Sequence, residues 1–546
     1  MFKKHNLFAL CIAILALFLA SLYNEINLSQ IIRYENSSDY LRENQTIRTS
    51  DDPSYLTPAV NYKEIGIWKD NSEGKQSYFL RPPGLGIIYY AFLSISENNA
   101  LLLFKVFSLL LFALSVFCLV KCFYFMGISP KLSLIFSLVY TLTPFFSGFL
   151  YYTLTESITP QLVLFYIFFL LRAHNANKFS SKYIYYSIAA AIMGFIFITR
   201  PVLGILGIAM VFSVVIDYLK MQNKNLLIKT LLLSAILSLS PMILWQVRNY
   251  QIAGKFVGLH PVYYPEHNTE FRPAHKAMWN LFESWGTKSD EFHSVIVPFW
   301  EVNINGKNDS LELKNILKSI PENAIEKIGE YKFIKAFEKY RESIIFQKYY
   351  YDKSLPMPSE IPIIEQGAIE SINEITKEYR KKFLIQYLFV APLKVFKNMV
   401  FHSNLSMYMF QHSLRGIWFV ESLRLFCLGL NISLYIAVFW GFFLKRNLLL
   451  KCFFSVIPFV YIFYLIFFQR GIEERYMLPL LPLMFLGLAL TFLTSPMRHP
   501  KTTTKNCNYS ARRLAMSIIC HKGTKTQRCT KKNFYHYLPK KKEQVN

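Results

Sequence analysis

Apolar and polar positions alternate along the chain in long blocks: uncharged stretches separated by short basic loops and by two long polar segments. The first apolar block, about 7–23, follows the basic flank MFKKHN. It is longer than the hydrophobic region of a usual secretory leader and no small-x-small site follows, which predicts an uncleaved anchor with Lys3 and Lys4 inside. The loop after it, about 24–83, then faces out. Residues 84–96 are apolar but too short to cross a bilayer, so they predict an interfacial or re-entrant helix behind Pro82-Pro83. Further spans are predicted at about 99–123, 132–150, 153–171 and 183–199, then from Pro201 to the basic segment DYLKMQNKNLLIK, and at 228–246. The pair at 132–150 and 153–171 forms a hairpin around SGFLYYT, and Pro201 stops one helix and starts the next. A polar segment at about 248–385 reads as a mostly helical outer domain, because LELKNILKSI and KFIKAFEKY have amphipathic spacing. Residues 386–402 are apolar but hold Lys394 and Lys397, which predicts an interfacial helix. The last spans fall at about 421–443, 450–468 and 475–493.

The fold class that follows is an all-α polytopic membrane protein of about ten spans with both termini inside. Every loop that parity places inside is basic, as the positive-inside rule requires. Four regions result: 1–247, a transmembrane unit carrying the first outer loop (24–98); 248–420, an extracytoplasmic helical region ending in the interfacial helix; 421–495, the C-terminal transmembrane helices; and 496–546, a basic inner tail whose composition predicts disorder.

Composition narrows the function classes. Of the 546 residues, 53% are hydrophobic and only 17% charged, which is too apolar for a soluble protein of this length. The net charge of +25 does not indicate a nucleic-acid partner, because residues 496–546 alone hold 13 Lys/Arg against the single acid Glu543 and much of the remainder sits in short inner loops. That is the charge pattern of a face lying against anionic lipid. Cys11, Cys118, Cys122, Cys427 and Cys452 lie in or beside spans and Cys507, Cys520 and Cys529 in the tail, so disulfides play no part in the long polar segments. Neither a P-loop nor GxGxxG is present.

The topology gathers ionisable groups on the outer face: Asp51, Asp52 and Arg81 in the first loop, Glu156 at the start of the fourth span, Arg200, Arg248, and Glu473, Glu474 and Arg475 entering the last span. An arginine at a span end usually anchors at the interface. Glu156 is different, since a carboxylate facing lipid costs a few kcal/mol and so requires a hydrated cavity or a cation. Pro53 restricts Asp52 toward extended backbone, sending the two neighbouring carboxylates different ways. A proton or ion path would need charges through the full membrane depth, and these stop at one side. Acids and arginines on one face suit group transfer from a lipid-linked phosphosugar, with a carboxylate taking the acceptor proton and arginines holding the departing phosphate.

In their order these residues resemble the motifs of the GT-C superfamily of polyprenyl-phosphate-sugar-dependent glycosyltransferases, in particular the bacterial relatives of protein O-mannosyltransferases and of the aminoarabinose transferase that modifies lipid A. Asp51, Asp52 and Tyr55 match D-(D/E)-x-x-Y, and Arg81, Pro82 and Pro83 match (K/R)-P-P. Thr155-Glu156 match a T/S-E motif near the fourth span, and Thr199, Arg200 and Pro201 a helix-end T-(R/K)-P. Pro241, Trp245, Arg248 and Asn249 match a P-W-x-x-R-N-like segment in part, and Arg475, Tyr476, Pro479 and Pro482 match R-Y-x-x-P-x-x-P. The resemblance covers roughly residues 1–495.

It implies a GT-C-like bundle in the bacterial inner membrane, with its site facing the periplasm. One sugar passes, with inversion, from a polyprenyl-phosphate donor to an extracytoplasmic acceptor: a glycolipid, a cell-surface polysaccharide or a protein. Asp51 becomes the candidate base; Asp52 and Glu156 orient the acceptor, the base or a divalent metal ion. Arg81, Arg200, Arg248 and Arg475 become candidates for the donor phosphate, and Tyr55, Pro82, Pro83 and Tyr476 for the substrate pocket. His260 is a candidate metal ligand, although one histidine without a paired neighbour fits a plain loop residue better. Residues 248–385 match no motif of the family, so the acceptor stays open. Three rivals stand beside this reading. One, a structural or scaffolding membrane protein, would not need acids and arginines gathered on one face. A transporter or flippase calls for inverted repeats and broken midplane helices, and no convincing repeat is present. An oligosaccharide ligase or polymerase using a pyrophosphate-linked lipid differs in its donor.

Overall fold

A computed structural model describes residues 2–34, 41–42, 46–47, 49, 51–72, 75–77, 81–221, 224–259, 263–307, 310–401, 414–444, 447–470 and 474–492. The basic tail, His260 and Glu473 lie outside the described residues, as does the side chain of Glu474. Among the described residues six helices are long and apolar enough to cross a membrane: His5–Ile31, Ala100–Phe125, Phe179–Thr199, Asn225–Ile252, Trp418–Trp440 and Leu448–Gln469. A seventh crossing results if Ile363–Lys382 and Gln386–Phe401, bent by 96° at their junction, act as one broken span. The chain is thus a helical membrane protein. Among the described residues the strands form two short antiparallel ribbons in the first polar loop, Leu41–Arg42 with Thr46–Ile47 and Asp70–Ser72 with Lys75–Ser77. All five described cysteines are free.

Four of the ten predicted spans are shorter or broken elements, and prolines account for most of the difference. The element predicted at 132–150 is the helix Pro130–Leu142, which stops at extended Thr143 (φ −99°, ψ 132°) because Pro144 follows. The one predicted at 153–171 begins only at Thr159, with Pro160 in its first turn, and runs to Asn175. After Pro201 the chain makes a 3-10 segment, Pro201–Leu206, before the helix Gly207–Met221. The last element starts as a 3-10 segment, Glu474–Leu480, with Pro479 inside it, and continues as Leu481–Thr491. The first helix departs the other way. It runs from Phe2 to Tyr34, past the predicted end at 23, because NEINLSQIIRY contains neither Gly nor Pro to stop it.

The polar segment is helical, as its amphipathic spacing predicts. Pro273–Glu283, Ser289–Ile304, Ser310–Lys318, Glu322–Ile328, Glu330–Asp352 and Ile363–Lys382 bury a core of their own, in which Met278, Phe282, Phe292, Phe299, Phe333 and Phe337 are almost wholly enclosed. Burial of each such side chain contributes about 1.5–3 kcal/mol. A buried ion pair between Arg272 and Glu365 ties the start of this region to its last helix, and Arg272 Nη1 also donates to the carbonyl of His267 (2.8 Å). The residues ahead of the Gln386–Phe401 element form a sharp bend rather than a continuation of Ile363–Lys382.

Candidate functional site

Local backbone pairing brings the first loop to the start of the Thr159–Asn175 helix. Ile47 N–H donates to Tyr151 O (2.9 Å), and Thr153 N–H donates to Ile47 O (3.4 Å). Residue 51 therefore lies beside residue 156 although the chain between them is more than a hundred residues long. Asp51 is the N-cap of the helix Asp52–Ile65, with Pro53 in its first turn. The spacing of the acidic motif follows from this. Asp51 and Tyr55 are four residues apart and share a helix face, whereas Asp52 is turned away by one helical step. Asp52 is helical, not extended; the two carboxylates diverge by helix rotation rather than by the restriction from Pro53. Asp52 is completely buried and does not line the cavity described below. A carboxylate at a helix N-terminus is stabilised by the orphan amides there.

Four guanidinium–carboxylate contacts make up the centre. Arg81 Nη2 donates to Asp51 Oδ1 at 2.5 Å, and Arg475 Nη2 donates to Asp51 Oδ2 at 2.7 Å. Arg200 Nη1 lies 2.9 Å from Glu156 Oε1, and Arg475 Nε lies 3.9 Å from the same oxygen. Arg475 thus bridges the two acids. Arg81 is held further by Ser54 Oγ at 3.2 Å and lies over the Tyr55 ring at 5.4 Å; Arg200 lies over the Tyr476 ring at 5.2 Å. Thr155 Oγ1 donates to Glu156 Oε2 at 3.0 Å. Burial pushes the Tyr55 phenol above its ordinary pKa, so it stays a neutral hydrogen-bonding group.

These side chains wall one cavity of about 460 Å³. Of the residues predicted from sequence, Asp51, Glu156, Arg81, Arg200, Arg475, Tyr55, Pro82 and Tyr476 line it. Pro83 does not; it is buried beside it as the N-cap of the helix Gly84–Ile95. Arg248 is elsewhere too. Its Nη2 donates to Trp68 O at 2.6 Å and its guanidinium lies over Trp245 at 4.8 Å, so it fastens the Lys224–Ala253 helix to the first loop. A span-end arginine with an aromatic neighbour finds that role more readily than a place in the cavity. The expectation for His260 falls outside the described residues. Among the described residues no group of three or more His, Cys, Asp or Glu gathers to hold a metal ion, and the partner of Glu156 is Arg200.

Sequence reasoning missed Tyr461 and Gln469, which also line the cavity. Tyr461 Oη donates to Tyr476 O at 2.9 Å, fixing the last element against the Ile457–Tyr464 helix. Tyr461 sits in an apolar run where an aromatic stripe reads as core, and Gln469 follows directly after the predicted span 450–468, where it reads as an ordinary loop residue; no spacing signal sets either apart. Glu283, in the helix Pro273–Glu283 of the polar segment, does not line this cavity. It is an ordinary helix residue in sequence, yet burial pushes its carboxyl up to about 7 against the opposing pull of Lys276, Arg470 and Arg380.

Gly84 couples two of the motifs. A Cβ there would overlap Thr199 Oγ1 and would meet Thr199 Cα at 2.7 Å. A backbone atom cannot rotate away, so Gly84→Ala must push the Gly84–Ile95 helix off Thr199 and separate Arg81 from Arg200. Overpacking of this kind costs about 1–3 kcal/mol. We expect Gly84→Ala to lower the Tm in detergent by several degrees; a variant as stable as wild type would show that the contact yields. No family model, no curated protein sequence and no solved structure matches the chain.

Proposed function

We propose that this protein is an integral-membrane glycosyltransferase of the GT-C type. In this reading it moves one sugar, with inversion, from a polyprenyl-phosphate donor to an acceptor hydroxyl outside the bacterial inner membrane. The observation that carries the reading is the double pairing of Asp51, whose two oxygens hold Arg81 from the first loop and Arg475 from the last span region, in the cavity where Arg200 holds Glu156. Three guanidiniums face two carboxylates. The surplus positive charge suits one bound phosphate, and planar arginine forks bind phosphate oxygens in pairs.

The pairing also suggests an order of events. A donor phosphate competes with Asp51 for Arg81 and Arg475. As the arginines turn to it, Asp51 is released within reach of the acceptor. The acceptor oxygen then attacks the anomeric carbon, its proton passes to Asp51, and the bond from that carbon to the phosphate oxygen breaks. The electron pair leaves with the polyprenyl phosphate, whose charge the arginines hold. Glu156 keeps Arg200 in place and orients the acceptor. In this reading the four shorter elements make up the ten crossings together with the segments that flank them, such as Pro201–Leu206 ahead of Gly207–Met221 and Glu474–Leu480 ahead of Leu481–Thr491; Thr159–Asn175, at 17 residues, reaches the lower limit for a span by itself. Both termini then lie inside and the cavity faces the periplasm.

Transfer from a radiolabelled polyprenyl-phosphate sugar in proteoliposomes tests the activity, and a pyrophosphate-linked oligosaccharide donor in parallel separates it from ligase chemistry. Arg81→Ala is expected to weaken donor binding by more than Arg81→Lys, which keeps the charge but loses the paired donors. Equal donor affinity in wild type and Arg81→Ala would remove Arg81 from the phosphate site.

A further inference from the structure

At the other end of the Thr159–Asn175 helix from Glu156 lies a second cavity, of about 500 Å³. The 17 residues of that helix rise about 26 Å, so the two cavities occupy opposite ends of the bundle. The charged side chains lining the second one are Lys121, Arg172 and Lys178, and among the described residues no Asp or Glu lines it. Lys121 is 6% exposed and donates to Asn6 Oδ1, so most of the side chain is covered by the protein where it lines the cavity. Arg172 is near enough to Lys121 for the two charges to repel, and its guanidinium is fixed over the Tyr185 ring at 4.5 Å.

The nearby acid is already engaged. Asp217 binds Lys182 at 2.5 Å, His174 at 2.8 Å and Tyr186 at 3.0 Å. Lys182 also donates to the carbonyls of Ala173 (3.0 Å) and His174 (3.2 Å), so those C-terminal groups of the helix are satisfied without Arg172. The Phe179–Thr199 helix opens at the same cavity. Its N-cap is Lys178, whose ammonium has no acceptor to offer the leading amides, and Ser181 in its first turn lines the space. Orphan amides at the start of a 21-residue helix carry partial positive charge and favour an anion. Three cations, a helix start and the amide side chains of Asn6, Asn175 and Asn177 converge on one cavity that opens to the surface at Lys178.

We propose that this second cavity is a phosphate-binding site. Arg172 and Lys178 contact the phosphate oxygens, and Lys121 neutralises the anion from below. Phe117, Phe125 and Phe168 line the same cavity, so a phosphate that carries an acyl chain finds an apolar wall beside the charges, while a free phosphate uses the charges alone.

The test is binding to the delipidated, full-length protein in detergent, followed by native mass spectrometry and by the shift in Tm. The probes are phosphatidylglycerol, inorganic phosphate and diacylglycerol, which has the acyl chains without the phosphate. Phosphatidylglycerol or phosphate is expected to bind and diacylglycerol to bind at least about tenfold more weakly. Arg172→Gln and Lys178→Gln are each expected to weaken binding by about tenfold through loss of a charged donor. Binding of phosphatidylglycerol alone assigns the phosphate to a lipid headgroup, and binding of inorganic phosphate assigns it to a free anion. Lys178 is exposed, so Lys178→Gln decides the matter if Arg172→Gln does not fold. Diacylglycerol binding as tightly as phosphatidylglycerol, or wild-type affinity in Lys178→Gln, overturns the proposal.

Discussion

Asp51→Asn is expected to lower single-turnover sugar transfer at least about a hundredfold, because a positioned base supplies on the order of 10² to 10⁴ in rate. Asparagine keeps the size and shape of the side chain but cannot accept the acceptor proton. The geometry adds a second expectation. In the proposed mechanism a donor phosphate competes in the wild type with both Asp51 oxygens for the guanidiniums they hold, Arg81 at 2.5 Å and Arg475 at 2.7 Å. The neutral amide holds those guanidiniums less strongly, so donor affinity in Asp51→Asn is expected to stay level or to rise while turnover falls. A purely structural ion pair would give the reverse, with donor binding lost through disorder of the arginines. Asp52→Asn serves as the comparison. Asp52 is buried outside the cavity, so its replacement is expected to change Tm with little change in the single-turnover rate. Wild-type transfer by Asp51→Asn would pass the role of base to Glu156.

Removing Glu156 has the largest expected effect on stability. Its side chain is 4% exposed and that of its partner Arg200 12%, with 2.9 Å between Nη1 and Oε1. Taking away one member of a buried pair leaves the other charge uncompensated and costs about 3–5 kcal/mol. Glu156→Ala is therefore expected to unfold at a markedly lower temperature, and Arg200→Met likewise, with Arg475 at 3.9 Å giving Glu156 only partial compensation in the latter. The double variant Glu156→Gln/Arg200→Met leaves neither charge behind and is expected to recover much of the Tm, since replacing a buried pair outright is often neutral. Sugar transfer is not expected to recover with it. Single variants as stable as wild type would mean that water reaches the pair freely. A stable double variant that transfers sugar at the wild-type rate would show that the pair serves the fold alone.

Some of this molecule was legible in residue order. Long uncharged runs can satisfy their backbone in lipid only as helices, so the helical membrane class and the six long apolar helices follow from composition and length. Amphipathic spacing in LELKNILKSI and KFIKAFEKY did the same for the helices of the long polar segment. The residues of D-D-P-S-Y were legible as a motif, but not its geometry: the sequence predicts extended backbone at Asp52, and the helix Asp52–Ile65 is what puts Asp51 and Tyr55 on one face.

Tertiary structure decided what depends on distant contacts. Whether an apolar run is one straight span or a broken element turned on how Pro144, Pro201 and Pro479 are accommodated, and a run of hydrophobicity does not record that. Arg248 and Arg475 look alike in sequence, each an arginine next to an apolar run. One is taken by Trp68 and Trp245, and the other is carried 424 positions along the chain to Asp51. Tyr461 reads as core until the last element packs beside it. An ion pair is a property of two side chains and the space between them, and that space is set by which helices pack together, as at Gly84 against Thr199, not by either residue's neighbours in the chain.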